Sequence, residues 1–232
     1  TTIGNSIFYK CSSLKSVIIP DSVTSISEGA FSDCSSLESV IIPNSVTIIG
    51  ESAFEDCSSL ESVVIPSSVT IIDESSFYNC SSLEEIEIPN SVTSIDDYTF
   101  KGCSSLKSVI IPDSVTSICK GAFDNCNSLK IIKIPNSVTT IGDGVFSFCS
   151  SLESVTIPKS IKNIEKIGIP TDIIHNVLPV VEGIKKPKTG KKPKKPKKPK
   201  TGKKPKTGKK PKTGKKPKTG KKSKKPKTGK KP

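Results

Sequence analysis

Cys34-Ser35-Ser36-Leu37-Glu38-Ser39-Val40-Ile41-Ile42-Pro43-Asn44-Ser45-Val46-Thr47-Ile48-Ile49-Gly50-Glu51-Ser52-Ala53-Phe54-Glu55-Asp56 is one unit of a repeat. Its cysteine recurs every 23 residues, at Cys11, Cys34, Cys57, Cys80, Cys103, Cys126 and Cys149. Phe8 to Phe146, Leu14 to Leu152 and Ile19-Pro20 to Ile157-Pro158 keep the same step. A fixed period of this length marks a solenoid, in which each repeat forms one coil. A single coil cannot bury its own apolar face, so stacked neighbours bury it for each other.

Within the unit, Leu37-x-x-Val40-x-Ile42 is the signature of a repeat strand, with β-branched residues at two of its positions. Successive strand residues face opposite ways, so Val40 and Ile42 point inward while Ser39 and Ile41 point outward. Pro43 ends the strand because it has no N–H for the ladder. A turn follows, in which Ser45 can bond to nearby backbone. Val46 and Ile49 then cross a second, shorter extended segment. Ala53, Phe54 and Cys57 supply a third inward side, expected to be a short helical or 3-10 turn. Stacking places each position above itself, with coils about 4.8 Å apart at the strands. The expected fold is an α/β-type leucine-rich-repeat solenoid of 23-residue coils with a parallel β spine, followed by a disordered basic tail.

The pattern I-P-x-S-V-T-x-I-x-x-x-A-F-x-x-C-S-S-L-x-x-V, clearest from Ile42 to Val63, resembles the BspA-like leucine-rich repeats. The resemblance spans residues 1–164 and agrees at roughly ten positions per unit. Members of that family are cell-surface and secreted proteins of certain anaerobic bacteria and parasitic protists, associated with adhesion to host matrix proteins and cells. The resemblance therefore implies a surface-adhesion role and a cell-surface or secreted location. After Ile164 the pattern fades, and residues 165–184 read as a C-terminal cap in which Pro170 and Pro179 limit any helix. A small binding segment is the competing reading there. Ile3-Gly4-Asn5-Ser6-Ile7-Phe8 aligns with Ile49 to Phe54, so the sequence opens in mid-repeat. It has no initiating Met, signal peptide or long apolar run, and reads as a truncated product.

Charge is segregated along the chain. All 22 acidic residues precede residue 185, against ten of the 36 lysines, which leaves the first part near −12. The other 26 lysines fall in residues 185–232, with no acid. That tail is built from K-K-P-K-T-G and K-K-P units, and its dense charge and regular proline favour an extended chain of at most about 150 Å. K-P-K-T-G lacks the leucine of a wall-anchoring signal, and no apolar segment follows it. Lys185, Lys186, Lys188, Lys191, Lys192, Lys194, Lys195, Lys197, Lys198 and Lys200 lead the tail. They are candidates to bind an anionic glycan, an acidic membrane or nucleic acid; a solvated spacer is the alternative.

Catalytic constellations find little support. The serine ladders lack a histidine base, the lone His175 has no indicated partner, and no Cys/His cluster has zinc spacing. No cofactor and no small-molecule substrate are expected. Stacked cysteines at about 4.8 Å suit a disulfide poorly, since bridged Cβ atoms lie about 3.8 Å apart. The column therefore reads as small buried hydrophobes, where a serine would lose about 1–3 kcal/mol as an unpaired hydroxyl. Cys119, off register, is the expected exposed thiol. Asn79-Cys80-Ser81 is formally a glycosylation sequon, but its cysteine belongs to the buried column.

The outward strand positions are the better candidates. One column reads Ile18, Ile41, Val64, Glu87, Ile110, Lys133, and ends at Thr156. Its neighbour reads Ser16, Ser39, Ser62, Glu85, Ser108, Ile131, Ser154. Aligned apolar residues on an exposed strip are either sheet filler or an interaction surface. Glu84, Glu85 and Glu87, with Lys107, Lys130 and Lys133 beyond, would oblige a partner to match a change of sign. The function expected is non-enzymatic binding of a host or matrix protein by the solenoid. An intracellular scaffold whose tail binds nucleic acid or directs nuclear import is the alternative.

Overall fold

The structure, a computed structural model, describes residues 1–169, 173 and 176–178. Strands are numbered in chain order. The long side of each coil contributes β2 (Ser16–Ile18), β4 (Ser39–Ile41), β6 (Ser62–Val64), β8 (Glu85–Glu87), β10 (Ser108–Ile110), β12 (Ile131–Lys133) and β14 (Ser154–Pro158). A short second side contributes β1 (Thr2–Ile3), β3 (Ser25–Ile26), β5 (Ile48–Ile49), β7 (Ile71–Ile72), β9 (Ser94–Ile95), β11 (Ser117–Ile118) and β13 (Thr140–Ile141). Every ladder among the described residues is parallel, and those within the repeats join residues one repeat apart, as in Val17↔Val40↔Val63. The spine comprises a sheet ordered β10-β8-β6-β4-β2 and a second ordered β12-β14-β15, where β15 is Asn176–Leu178. Val109 and Ile111, beside the break between the two sheets, are half-buried, whereas Val40, Ile42, Ile132 and Ile134 are buried.

The third side is not helical, which corrects the α/β assignment to a parallel β-solenoid with almost no helix. Its backbone enters the left-handed region twice per coil: once at Ser6, Gly29, Ser52, Ser75, Tyr98, Gly121 and Gly144, and again at Lys10, Asp33, Asp56, Asn79, Gly102, Asn125 and Phe148. A positive φ at intervals of four residues interrupts any right-handed helix. The N–H groups alternate accordingly. Those of Gly29, Phe31 and Asp33 reach the next coil, at the carbonyls of Glu51, Ala53 and Glu55, all 2.8 Å away. Those of Ala30, Ser32 and Cys34 close local turns onto Ser27, Gly29 and Phe31. A helix would keep all these bonds within one coil; here half of them tie coils together. The 3-10 turn at Ile164–Lys166 lies beyond the last repeat.

Inside, the phenylalanines stack with centroids 5.1 to 5.9 Å apart and planes within 5–11°. Phe31 to Phe146 are fully buried, each contributing roughly 1.5–3 kcal/mol by leaving water. The cysteine column carries a bond that sequence reading did not anticipate. Each thiol from Cys34 onward donates to the phenylalanine carbonyl of the preceding coil, as from Cys57 Sγ to Phe31 O at 3.2 Å. Threonine hydroxyls form a parallel external ladder, Thr47 to Thr24 O and Thr70 to Thr47 O, at 3.2 and 3.3 Å. Past the repeats, Ile161, Ile167 and Ile169 are buried, and Phe146 N–H bonds to Ile167 O where earlier phenylalanines bond to the next coil. Pro170, His175, Pro179 and the tail lysines lie outside the described residues.

Candidate protein-binding face

The alternation of each spine strand decides which side chains meet solvent. Val40, Val63, Ile86, Ile132 and Val155 face the core and are buried. Their neighbours in the outward column are exposed: Ile18 by 76%, Ile41 by 60%, Val64 by 81% and Ile110 by 56%. Glu87 and Lys133 occupy the same column and are also exposed. The six proposed contact residues therefore share one face of the spine. Ladder pairing sets Ile18 beside Ile41 and Ile41 beside Val64, which makes the first three a continuous apolar strip. Ser16, Ser39 and Ser62 run along one side of it.

A charged column borders the serines. Lys15 pairs with Glu38 at 3.4 Å, Lys107 with Glu84 at 2.7 Å, and Lys130 with Glu153 at 3.5 Å. These bridges are exposed, and each adds at most about 1 kcal/mol. Glu61, Glu85, Glu87 and Lys133 have no ion-pair partner among the described residues. The ladder also changes here. β8 pairs with β6 only at Ser62↔Glu85, whereas β4 pairs with β2 and with β6 at three positions each. A cleft of about 510 Å³ lies at the start of these strands, lined by Glu61, Ser62, Ser82, Glu84, Glu85 and Ser105. Another, of about 300 Å³, lies at their end between Val64 and Ile65 on one rung and Glu87 and Pro89 on the next.

The thiols depart from expectation. Cys11, in the first coil, is exposed, while Cys119 is half-buried beside Ser94 and Asp96, at 3.7 and 3.9 Å. Burial raises the Cys119 pKa, and the hydrogen bond with Ser94 opposes this. All eight cysteines are free. Burial pushes the Cys103 and Cys149 thiols up to about 12, and those of Cys80 and Cys126 well above the ordinary range. Asn79 donates to Asp56 Oδ1 at 3.0 Å, so the amide of the sequon is already engaged.

Sequence reading missed two surface features. Ile48 and Ile71 are exposed on the second side, a strip that the alternation of Ile48-Ile49 and Ile71-Ile72 could have disclosed. Tyr98 lies under Lys101 and Lys120, at 5.1 and 5.4 Å, with Lys101 bridged to Asp124 at 3.1 Å. Its left-handed backbone gives no sign of itself in the sequence. No helix among the described residues is long and apolar enough to cross a membrane.

Comparison with known proteins agrees with this geometry. The family model for the BspA type leucine rich repeat region matches residues 1–99 and 70–168, with six copies. A leucine rich cell surface protein from Faecalibacterium prausnitzii A2-165 is 42% identical, with a TM-score of 0.61; the match covers 67% of this chain and 42% of that one. The T. pallidum leucine rich repeat protein is 33% identical, with a TM-score of 0.61 over 66% of this chain and 71% of its own. A leucine-rich repeat protein from Bacteroides ovatus is 28% identical, with a TM-score of 0.57 over 68% and 53%. This chain thus spans less than half of the F. prausnitzii protein. No curated protein sequence matches it. The 23-residue coil, the thiol and phenylalanine columns and the family match together establish that the chain belongs to the BspA-type leucine-rich repeat family.

Proposed function

We propose that the solenoid is a non-enzymatic adhesion module at the cell surface and that the outer spine face binds a host or matrix protein. The observation that carries this reading is the solvent-exposed strip Ile18, Ile41 and Val64 on a sheet whose other side is already committed to the core. Aligned β-branched residues at such exposure give a rigid apolar platform, and contiguous apolar surface marks interaction sites. The cell-surface description of the F. prausnitzii relative supports the location. Replacing Ile18, Ile41 and Val64 together with lysine tests it. These side chains touch no core, so circular dichroism and melting should stay unchanged while binding to matrix proteins or cells falls at least about tenfold, on the scale of lost interface anchors. Undiminished binding by the folded triple variant would reduce the strip to sheet filler.

For residues 185–232 we propose a separate, electrostatic role: the lysines from Lys185 onward hold polyanions such as sulfated glycans, anionic lipid surfaces or nucleic acid. The support is composition. The segment has 26 of the chain's 36 lysines, no acid, and no aromatic residue on which a base could stack.

A further inference from the structure

We propose that the acidic rung at β8 is where the outer face selects its partner, taking lysine or arginine side chains of a polypeptide whose apolar residues rest on Ile18, Ile41 and Val64. This rests on the reading of the outer face as a binding surface and adds the chemistry of what it binds. Three independent features meet at this rung. Continuing the apolar column past Val64 leads directly to Glu87, so any partner seated along the strip meets a carboxylate at the next step. Glu85 and Glu87 lie on the same outward side of one strand, about 7 Å apart by strand geometry, and neither has a cation of this protein beside it among the described residues. The ladder between β6 and β8 is reduced to one pair, and a cleft opens on either side of it, one at Glu61, Glu84 and Glu85, the other at Val64 and Glu87.

Charge complementarity then fixes the occupant. Glu84 is already engaged by Lys107, but Glu85 and Glu87 on this rung and Glu61 on the one before it are not, so three uncompensated negative charges stand beside an apolar platform. Glu87 stands in line with the apolar column and Glu85 lies beside it along β8, so basic residues that follow the apolar ones on the partner reach both carboxylates. Beyond the rung the outward column carries Lys133, which has no ion-pair partner among the described residues and repels a partner that is basic along its whole length. The selected segment is apolar followed by a short basic stretch.

The test uses the full chain as bait for a display library of short random peptides, counter-selected on the full chain with Ile18→Ser, Ile41→Ser and Val64→Ser. That subtraction removes peptides held anywhere except the strip. Glu85→Gln/Glu87→Gln, an isosteric change at exposed positions, is the second variant. The expected peptides pair β-branched or other apolar residues with lysine or arginine. Their affinity should fall about fivefold on the Glu85→Gln/Glu87→Gln chain at low salt, as two exposed ion pairs allow. The difference should vanish near 0.5 M salt, where screening acts within a few ångströms. Selected peptides that are neutral or acidic, or that bind the glutamine variant equally well, would overturn the rung proposal and leave the face as a binding surface. Finding no peptide that distinguishes the native chain from the triple serine variant would remove both.

Discussion

Cys57 is both an apolar filler and a hydrogen-bond donor. The Phe31 carbonyl accepts from Cys34 N–H and from the Cys57 thiol, each at 3.2 Å. A hydroxyl placed there finds the same acceptor, so Cys57→Ser should lose only about 1 kcal/mol, not the larger cost of an orphaned buried group. Urea unfolding of the variant measures this, and a loss above about 3 kcal/mol would show that the shorter side chain cannot reach. Among the described residues the hydroxyls of Ser45, Ser76 and Ser137 are buried without a partner, and Ser76 is fully buried where other coils carry Ala30, Ala53 or Ala122. Ser76→Ala should therefore stabilise the fold by about 1–2 kcal/mol in the same measurement. The buried thiols also set an alkaline limit. The Cys103 thiol titrates near 12 in the fold, above an unfolded value near 8.5. Between those values the folded state holds the proton that the unfolded state releases, so stability falls as pH rises. Each such cysteine should add about 1.4 kcal/mol of loss per pH unit, and Cys103→Ala should flatten the slope by that amount between about pH 9 and 10. An unchanged slope would show that the thiols do not titrate in this window.

At the scale of the coil's elements, the third side shows what a repeat sequence can conceal. Ser52 has φ +52°. A left-handed backbone favours glycine and disfavours a β-branched residue, whereas a helix interior ranks glycine below valine. Ser52→Gly should therefore exceed Ser52→Val in stability by about 1–2 kcal/mol, and the reverse order would restore the helical reading. The spine strands and their inward and outward faces were legible because alternation over Val40-Ile41-Ile42 has only one sensible registration on a core. The third side was not, because Ala53-Phe54 and Cys57 have the same spacing on a helical turn as on two successive turns. Asp33, Asn79 and Gly102 hint at positive φ, but Lys10 and Phe148 occupy equivalent places and blur the signal. The site divides similarly. The exposed strip follows from alternation, while the weakened β6–β8 ladder does not, since Val63-Val64-Ile65 and Ile86-Glu87-Ile88 keep the same inward pattern as their neighbours.

For the whole molecule, the charge pattern matters more than the net charge of +14, because that sum hides a segment near −12 and another at +26. All of the acidic residues fall in 1–184 and most of the lysines in 185–232. A lysine binds phosphate or sulfate as a point charge, so the affinity of the second segment should follow counterion release, with little regard to ligand shape. If about eight lysines engage a single-stranded polyanion, log K should fall with log salt at a slope near −6. Heparin, vesicles rich in anionic lipid and random-sequence DNA should compete with one another for the full chain, since all three present the same spaced negative charge. A synthetic peptide of residues 185–232 should reproduce the slope, because the lysines alone set it. Composition allows this breadth: the 26 lysines of residues 185–232 offer charge to any polyanion. Binding unaffected by salt between about 0.05 and 0.5 M, or a strong preference for one DNA sequence, would mean that shape as well as charge is being read.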